Sequence, residues 1–328
     1  MRFAHSAVVM ALAAGLSALV STAPAHAQPP HGDHYVALGS SYASGPGLAP
    51  QLDTRCGRSG VDYPHLLAQR IGAVLTDVTC SGAVTANIVS RTQRTRSGGI
   101  VPLQIGAVTP DTTLVTISIG GNDLNLIGEM IGRSCRSALT SAAPTVATAP
   151  GAAVRALRTC TAFASTSEPP ASKVTALEHD LADVVRAVRS RAPHAKVLLV
   201  QYLSVVDARA TTCPGVVMSP ADANATRHTY DELVTATRDA AEATGATSAD
   251  IPDADQHTAC SPAPWVNGFH NPLTGNNASI GTSYHPNQAG MQAVADRLAD
   301  FVSHDETLLP AVDGDPHLLA PLAARTGQ

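Results

Sequence analysis

Apolar positions along the chain fall into two alternating rhythms. Tyr35-Val36-Ala37-Leu38 is a short apolar run that stops at Gly39, and Val74–Thr79 and Thr113–Ile119 are further runs rich in β-branched residues, as strands should be. Lys196–Leu203 (KVLLVQYL) is nearly continuous, the pattern of a strand buried on both faces. Ala246–Ile251 is a fifth candidate strand. Between these runs the spacing changes. Val174, Leu177, Leu181, Val184, Val185 and Val188 recur at helical intervals and predict an amphipathic helix over 172–191. Pro64–Ile71 reads as a helix with Asp62 near its start, Ser219-Pro220 opens a long helix that Gly245 ends, and Pro286 opens a final helix to about Val302.

Strands that alternate with helices argue for a mainly parallel sheet covered on both faces, in one domain. Such sheets bind ligands at the carboxyl ends of their strands. The connections 42–62, 133–171 and 252–284 are long and rich in Gly, Pro and Ser, and loops of that size carry function or need pinning.

The first residues set the compartment. Arg2 precedes an apolar run from Ala7 to Val20, and small residues then end at Ala25-His26-Ala27. This is the pattern of a signal peptide, residues 1–27, with an A-x-A cleavage site and a run too short to anchor in a bilayer. The expected product is a secreted chain, 28–328, without a transmembrane anchor. Residues 304–328 suggest no role. Six cysteines, Cys56, Cys80, Cys135, Cys160, Cys213 and Cys260, fit export as disulfides, although six cysteines allow 15 pairings. The C-x-x-C spacing of a structural zinc site does not occur.

Composition narrows the function further. The 328 residues are 44% hydrophobic with a net charge of −5 and no long run of either sign, so the chain can fill a core and carries no electrostatic footprint for nucleic acid. Nothing indicates a metal or organic cofactor, and a monomer is expected.

Three strand ends carry complementary chemistry. Gly39-Ser40-Ser41-Tyr42 follows the first strand, Cys80-Ser81-Gly82-Ala83 the second and Gly120-Gly121-Asn122-Asp123 the third. A hydroxyl, a glycine whose backbone can approach a ligand and a side-chain amide are the parts of a nucleophile with its oxyanion hole. A general base is still needed. Of 13 histidines, His31 and His34 fall in a polar N-terminal stretch expected to be loose, and most others sit on helices or without a companion motif. His285, in Ser283-Tyr284-His285-Pro286, stands at the mouth of the last helix, where a neutral imidazole suits proton abstraction from serine.

In these blocks the chain resembles the SGNH hydrolases, also called GDSL esterases and lipases. The family's G-D-S block falls on Gly39-Ser40-Ser41, its second-block glycine on Gly82, its G-x-N-D on Gly120–Asp123 and its D-x-x-H on Thr282–His285. The resemblance implies a three-layer α/β/α sandwich with a five-stranded mainly parallel sheet. It makes Ser41 the nucleophile, His285 the base, and the Ser41 and Gly82 N–H groups with the Asn122 amide the oxyanion hole. Two aspartates are replaced, by Ser40 and Thr282. Secreted members that work as Ser–His dyads suggest that a main-chain carbonyl orients the histidine, and the Thr282 carbonyl is expected to do so. The same members imply three bridges in sequence order, Cys56–Cys80, Cys135–Cys160 and Cys213–Cys260. The G-x-S-x-G elbow of α/β-hydrolases is absent.

The expected function is hydrolysis of a small-molecule or lipid acyl ester through an acyl-enzyme. The rivals are a carbohydrate O-deacetylase, which would use the same parts, and a degenerate binding protein, suggested by the two missing aspartates.

Overall fold

A computed structural model describes residues 33–95, 97–141, 150–161, 163, 167–274 and 277–303. The leader 1–27, His31, His304, His317 and the tail 304–328 lie outside the described residues.

Five strands form one parallel sheet in the order β2-β1-β3-β4-β5: β1 His34–Gly39, β2 Val74–Asp77, β3 Thr112–Ser118, β4 Lys196–Val200 and β5 Thr247–Ala249. Every pairing is parallel. The helices that position the site are α1 Ser41–Ser44, α2 Tyr63–Ile71, α3 Thr85–Val89 and α4 Leu126–Ser141. Next come α5 Pro150–Thr161, α6 Ala171–Arg191, α7 Pro220–Thr244 and α8 Gln288–Ser303. Helix α2 packs with α8, and α6 packs with α7 and α3, which gives the three layers. The apolar stripe expected on α6 is the buried one: Leu177, Leu181, Val184, Val185 and Val188 are all inside.

The strand order reverses between β1 and β3. Chain leaving these two neighbours turns to opposite sides, and a crevice opens at their carboxyl ends. Gly39 pairs with Ser118 at that edge, so the segments after both strands start side by side.

Several boundaries differ from the sequence reading. His34 does not lie in a loose arm; it is the first residue of β1, beside Asp111. Strand β4 ends at Val200; the Gln201 N–H still donates to the Ala249 carbonyl of β5 at 3.1 Å, and Tyr202–Leu203 continue as irregular buried chain. Where it is described, the connection 133–171 is largely helical. Helix α4 buries Leu126, Ile127, Met130, Ile131, Cys135 and Ala138, a helical stripe masked in sequence by Gly128 and Gly132, each worth about 1 kcal/mol against a helix. Two antiparallel ribbons were also unforeseen: Gln51–Asp53 with Arg58–Ser59, and Gln93–Arg94 with Ile100–Val101.

Helix α2 begins at a buried ion pair. Asp62 accepts the His65 N–H at 3.0 Å as its cap, and the same oxygen lies 2.7 Å from His65 Nδ1. Asp77 and Arg58 close the cluster. Burial pushes the Asp62 carboxyl up to about 7, and the hydrogen bond to Asp62 raises His65. The folded pair therefore keeps protons that the unfolded chain releases, and its contribution to stability falls as pH rises from the ordinary carboxylate range through about 7. Chemical denaturation across that range should show stability declining, with a shallower slope in Asp62→Asn, which keeps the cap but not the charge. Equal slopes in the two proteins would contradict this reading.

Candidate active site

The nucleophile candidate is placed by a tightly fixed strand exit. The Gly39 N–H donates to Gln104 Oε1 at 2.8 Å, and Gln104 Nε2 donates to the Gly39 carbonyl at 2.9 Å. Ser40 N–H then donates to the Ser118 carbonyl at 3.0 Å. A side chain at Gly39 would put its Cβ 2.5 Å from that same oxygen, so only glycine lets the chain leave β1 this close to β3. Ser41 follows as the first residue of α1, where the backbone N–H has no intrahelical acceptor.

Ser41 and His285 meet across 244 residues of sequence: Oγ lies 2.9 Å from Nε2. The other ring nitrogen, Nδ1, lies 2.9 Å from the Ser283 carbonyl. One neutral tautomer serves both contacts, with Nδ1–H donating to the carbonyl and Nε2 accepting from the hydroxyl. The expected orienter was the Thr282 carbonyl, and the structure corrects this by one residue. The Thr282 carbonyl accepts the backbone N–H of His285 at 3.3 Å, closing a turn. Tyr284 sits inside that turn at φ 63°. The Thr282 oxygen is thereby engaged by the main chain, and Ser283 presents its carbonyl to the ring. A non-glycine residue at positive φ costs on the order of 1–3 kcal/mol and persists where surrounding contacts hold it.

Those contacts come from residues the sequence did not single out. Tyr42, next to Ser41, donates its hydroxyl to the Tyr284 carbonyl at 2.6 Å. The Tyr284 hydroxyl meets Ser134 Oγ at 2.6 Å. The Tyr42 ring stacks on Tyr202 at 4.0 Å, and the Tyr202 hydroxyl meets Ser40 Oγ at 2.7 Å. Burial pushes the Tyr42 phenol well above its usual range, which keeps it a hydrogen-bond donor. Ser40, standing where the family has aspartate, thus joins a buried neutral network. The only sequence signal for Tyr42 was its place beside Ser41.

The remaining two parts converge on the same edge. Gly82 has φ 82°, and its loop is held by the Cys80 N–H on the Gly39 carbonyl, the Ser81 N–H on the Cys56 carbonyl and the Cys56–Cys80 disulfide. Asn122 uses one amide N–H on the Ala83 carbonyl at 2.8 Å and has a second to offer. Asp123 accepts from the Thr85 hydroxyl at 2.6 Å, tying the Asn122 turn to the start of α3; burial raises its carboxyl. Ser41, Gly82, Asn122 and His285 all line one cleft of about 670 Å³, a size that suits a small organic ligand. Among the described histidines no other lines it. The other bridges are Cys135–Cys160 and Cys213–Cys260, so all three join in sequence order.

Comparison with known proteins places the chain in a family. Residues 37–293 match the GDSL-like lipase/acylhydrolase family. The chain is 34% identical to Lipase 2 of Streptomyces coelicolor over 91% of its own length and 95% of that protein. It is 32% identical to Lipase 1 of the same organism, over 86% and 91% respectively. Among solved structures, the extracellular lipase of Streptomyces rimosus and phospholipase A1 of Streptomyces albidoflavus each superpose with a TM-score of 0.57 at 26% identity, covering 82% of this chain and 99% of theirs.

The hydroxyl of Tyr42 is expected to hold the histidine turn. Tyr42→Phe should lower stability by about 1–3 kcal/mol, because the Tyr284 carbonyl loses its buried donor. It should also speed amide hydrogen exchange over 283–285. Unchanged exchange there would show that the turn is held by other contacts.

Proposed function

The chain belongs to the GDSL-like lipase/acylhydrolase family, and from that premise we propose that this carboxylic ester hydrolase is a secreted serine esterase or lipase working through a Ser41–His285 dyad. The observation that carries the proposal is the 2.9 Å contact between Ser41 Oγ and His285 Nε2, with the ring fixed from behind by the Ser283 carbonyl.

The chemistry follows from those atoms. Nε2 takes the Ser41 proton as Oγ bonds to the ester carbonyl carbon, and the carbonyl π pair moves onto oxygen. The oxyanion is held by the N–H groups of Ser41 and Gly82 and by the Asn122 amide. When the pair returns, the C–O bond to the alcohol breaks and the leaving oxygen takes the proton from Nε2. Water then gives a proton to Nε2, attacks the acyl-serine and releases the acid, and Ser41 recovers its proton. Ile127, Ile131 and Phe163 line the cleft and supply an apolar wall against which an acyl chain can lie.

Secretion is supported by the signal-peptide pattern, by three disulfides and by similarity to an extracellular lipase. No helix among the described residues is long and apolar enough to cross a membrane. The intact Ser41–His285 contact argues against a degenerate binding protein, and the apolar wall favours acyl esters over an O-deacetylase's acetylated sugar.

A fluorophosphonate probe should label the wild type and Ser40→Ala but not Ser41→Ala. Labelling that vanishes in Ser40→Ala and survives in Ser41→Ala would reverse the assignment. On a p-nitrophenyl ester, Asn122→Ala should lower kcat by about 10²–10³, and His285→Ala by several orders of magnitude. Thr282→Ala should stay within about threefold of wild type, or about 0.7 kcal/mol in the barrier. A large loss there would make the Thr282 hydroxyl part of the machinery.

A further inference from the structure

The loop that bears Gly82 contains one peptide that its anchors leave undecided. Cys80–Ala83 is a four-residue turn, closed by the Ala83 N–H on the Cys80 carbonyl at 3.1 Å. The Cys80 and Ser81 N–H groups, the Cys56–Cys80 disulfide and the Asn122 amide on the Ala83 carbonyl all flank the middle peptide without touching it. That peptide joins Ser81 to Gly82, and its N–H is the one assigned to the oxyanion. It is also the peptide that turns over between a type I and a type II turn, while the closing hydrogen bond stays the same. Gly82 has φ 82°, the type II value. Glycine adopts positive and negative φ about equally readily, so Gly82 permits this orientation without selecting it.

One side chain selects it. Gln93 Nε2 donates to the Ser81 carbonyl at 2.8 Å. A trans peptide is planar, with its carbonyl and N–H on opposite sides. A Ser81 carbonyl turned to Gln93 therefore directs the Gly82 N–H the other way, and among the described residues that N–H meets no protein acceptor. Gln93 is buried and held in the second ribbon, where its backbone pairs with Val101. Its Oε1 is buried without a protein donor, so among the described residues the amide serves only the Ser81 carbonyl. Ser81, Gly82 and Gln93 line the same cleft as Ser41 and His285.

We propose that Gln93 is a positioning residue for ester hydrolysis, holding the Ser81–Gly82 peptide in the orientation that aims the Gly82 N–H at the oxyanion. The proposal rests on the ester-hydrolase reading and adds to it a residue outside the dyad and the three donors. Gln93 acts through Gly82 and not on the substrate. Its hydrogen bond also polarises the peptide, which makes the Gly82 N–H a stronger donor when charge develops on the carbonyl oxygen.

The test measures hydrolysis of p-nitrophenyl butyrate by wild type, Gln93→Met, Gln93→Glu, Gly82→Ala and the double variant Gln93→Met/Gly82→Ala. Gln93→Met keeps the length of the side chain and loses the donor. Its kcat should fall about tenfold with KM within about twofold, less than the ~10²–10³ for deleting an oxyanion donor outright. At Gly82 a new Cβ has room, its nearest neighbour being Gln93 Nε2 at 3.7 Å, but alanine disfavours positive φ and so turns the peptide over. In that background Gln93→Met should cost less than about a further twofold, because both changes act on one peptide. Gln93→Glu can donate only as the acid, so its deficit relative to wild type should shrink as pH falls. A kcat within about twofold of wild type in Gln93→Met, or a full tenfold loss added to that of Gly82→Ala, would overturn the proposal. If Gln93→Met does not fold, Gln93→Glu decides: a deficit that shrinks in acid supports the role, and one independent of pH overturns it. Ser41-dependent hydrolysis by wild type with no role for Gln93 would leave the ester-hydrolase reading standing. No hydrolysis of any ester by wild type would overturn both.

Discussion

A neutral imidazole can carry its proton on either ring nitrogen, and only one form leaves Nε2 free to receive a proton from Ser41. In a serine-protease triad a carboxylate makes that choice, and replacing it by an amide costs about 10⁴ in kcat through the wrong tautomer. Here the chooser is the Ser283 main-chain carbonyl, 2.9 Å from Nδ1. A carbonyl can only accept, so it selects the same tautomer that a carboxylate would. It brings no full negative charge to an imidazolium, so what it contributes is orientation. Orientation in turn depends on a turn with Tyr284 at positive φ, whose stability is borrowed from Tyr42 and Ser134. Because the orienting atom belongs to the backbone, no side-chain replacement at 283 removes it directly.

The same economy runs through the rest of the site. The sheet's reversal between β1 and β3 puts the Ser41 turn and the Asn122 turn side by side. Gln104 and the Ser118 carbonyl fix the exit from β1. The Gly82 loop is held by hydrogen bonds to Gly39 and Cys56 and by a disulfide. Asp123 holds the third turn to α3. The residues proposed as oxyanion donors are thus each fixed by further contacts, which is what preorganised electrostatic stabilisation requires.

Much of this was legible in the sequence because it is carried by local signals. The five strands and the α6 stripe follow from periodicity, and Ser41, Gly82 and Asn122 were visible as polar residues at strand ends. His285 stood out by its place before Pro286. What could not be read depends on tertiary packing. The choice between the Thr282 and Ser283 carbonyls turns on the backbone dihedral of Tyr284. The Tyr42–Tyr202–Ser40 network joins residues up to 162 positions apart. Helix α4 was hidden by its glycines, which packing overrides. His34 was read with the polar residues before it, but pairing with Val74 and Thr112 draws it into the sheet.

The claim on which the mechanism stands is the tautomer of His285, and it can be observed without any substrate. Nitrogen-15 NMR of histidine-labelled protein, at a pH where the ring is neutral, reports which nitrogen bears the proton. Comparison with His285→Gln assigns the signal. Nδ1 should be protonated and hydrogen-bonded, and Nε2 unprotonated. A neutral His285 with its proton on Nε2 would contradict it, since that ring could neither donate to Ser283 nor take a proton from Ser41.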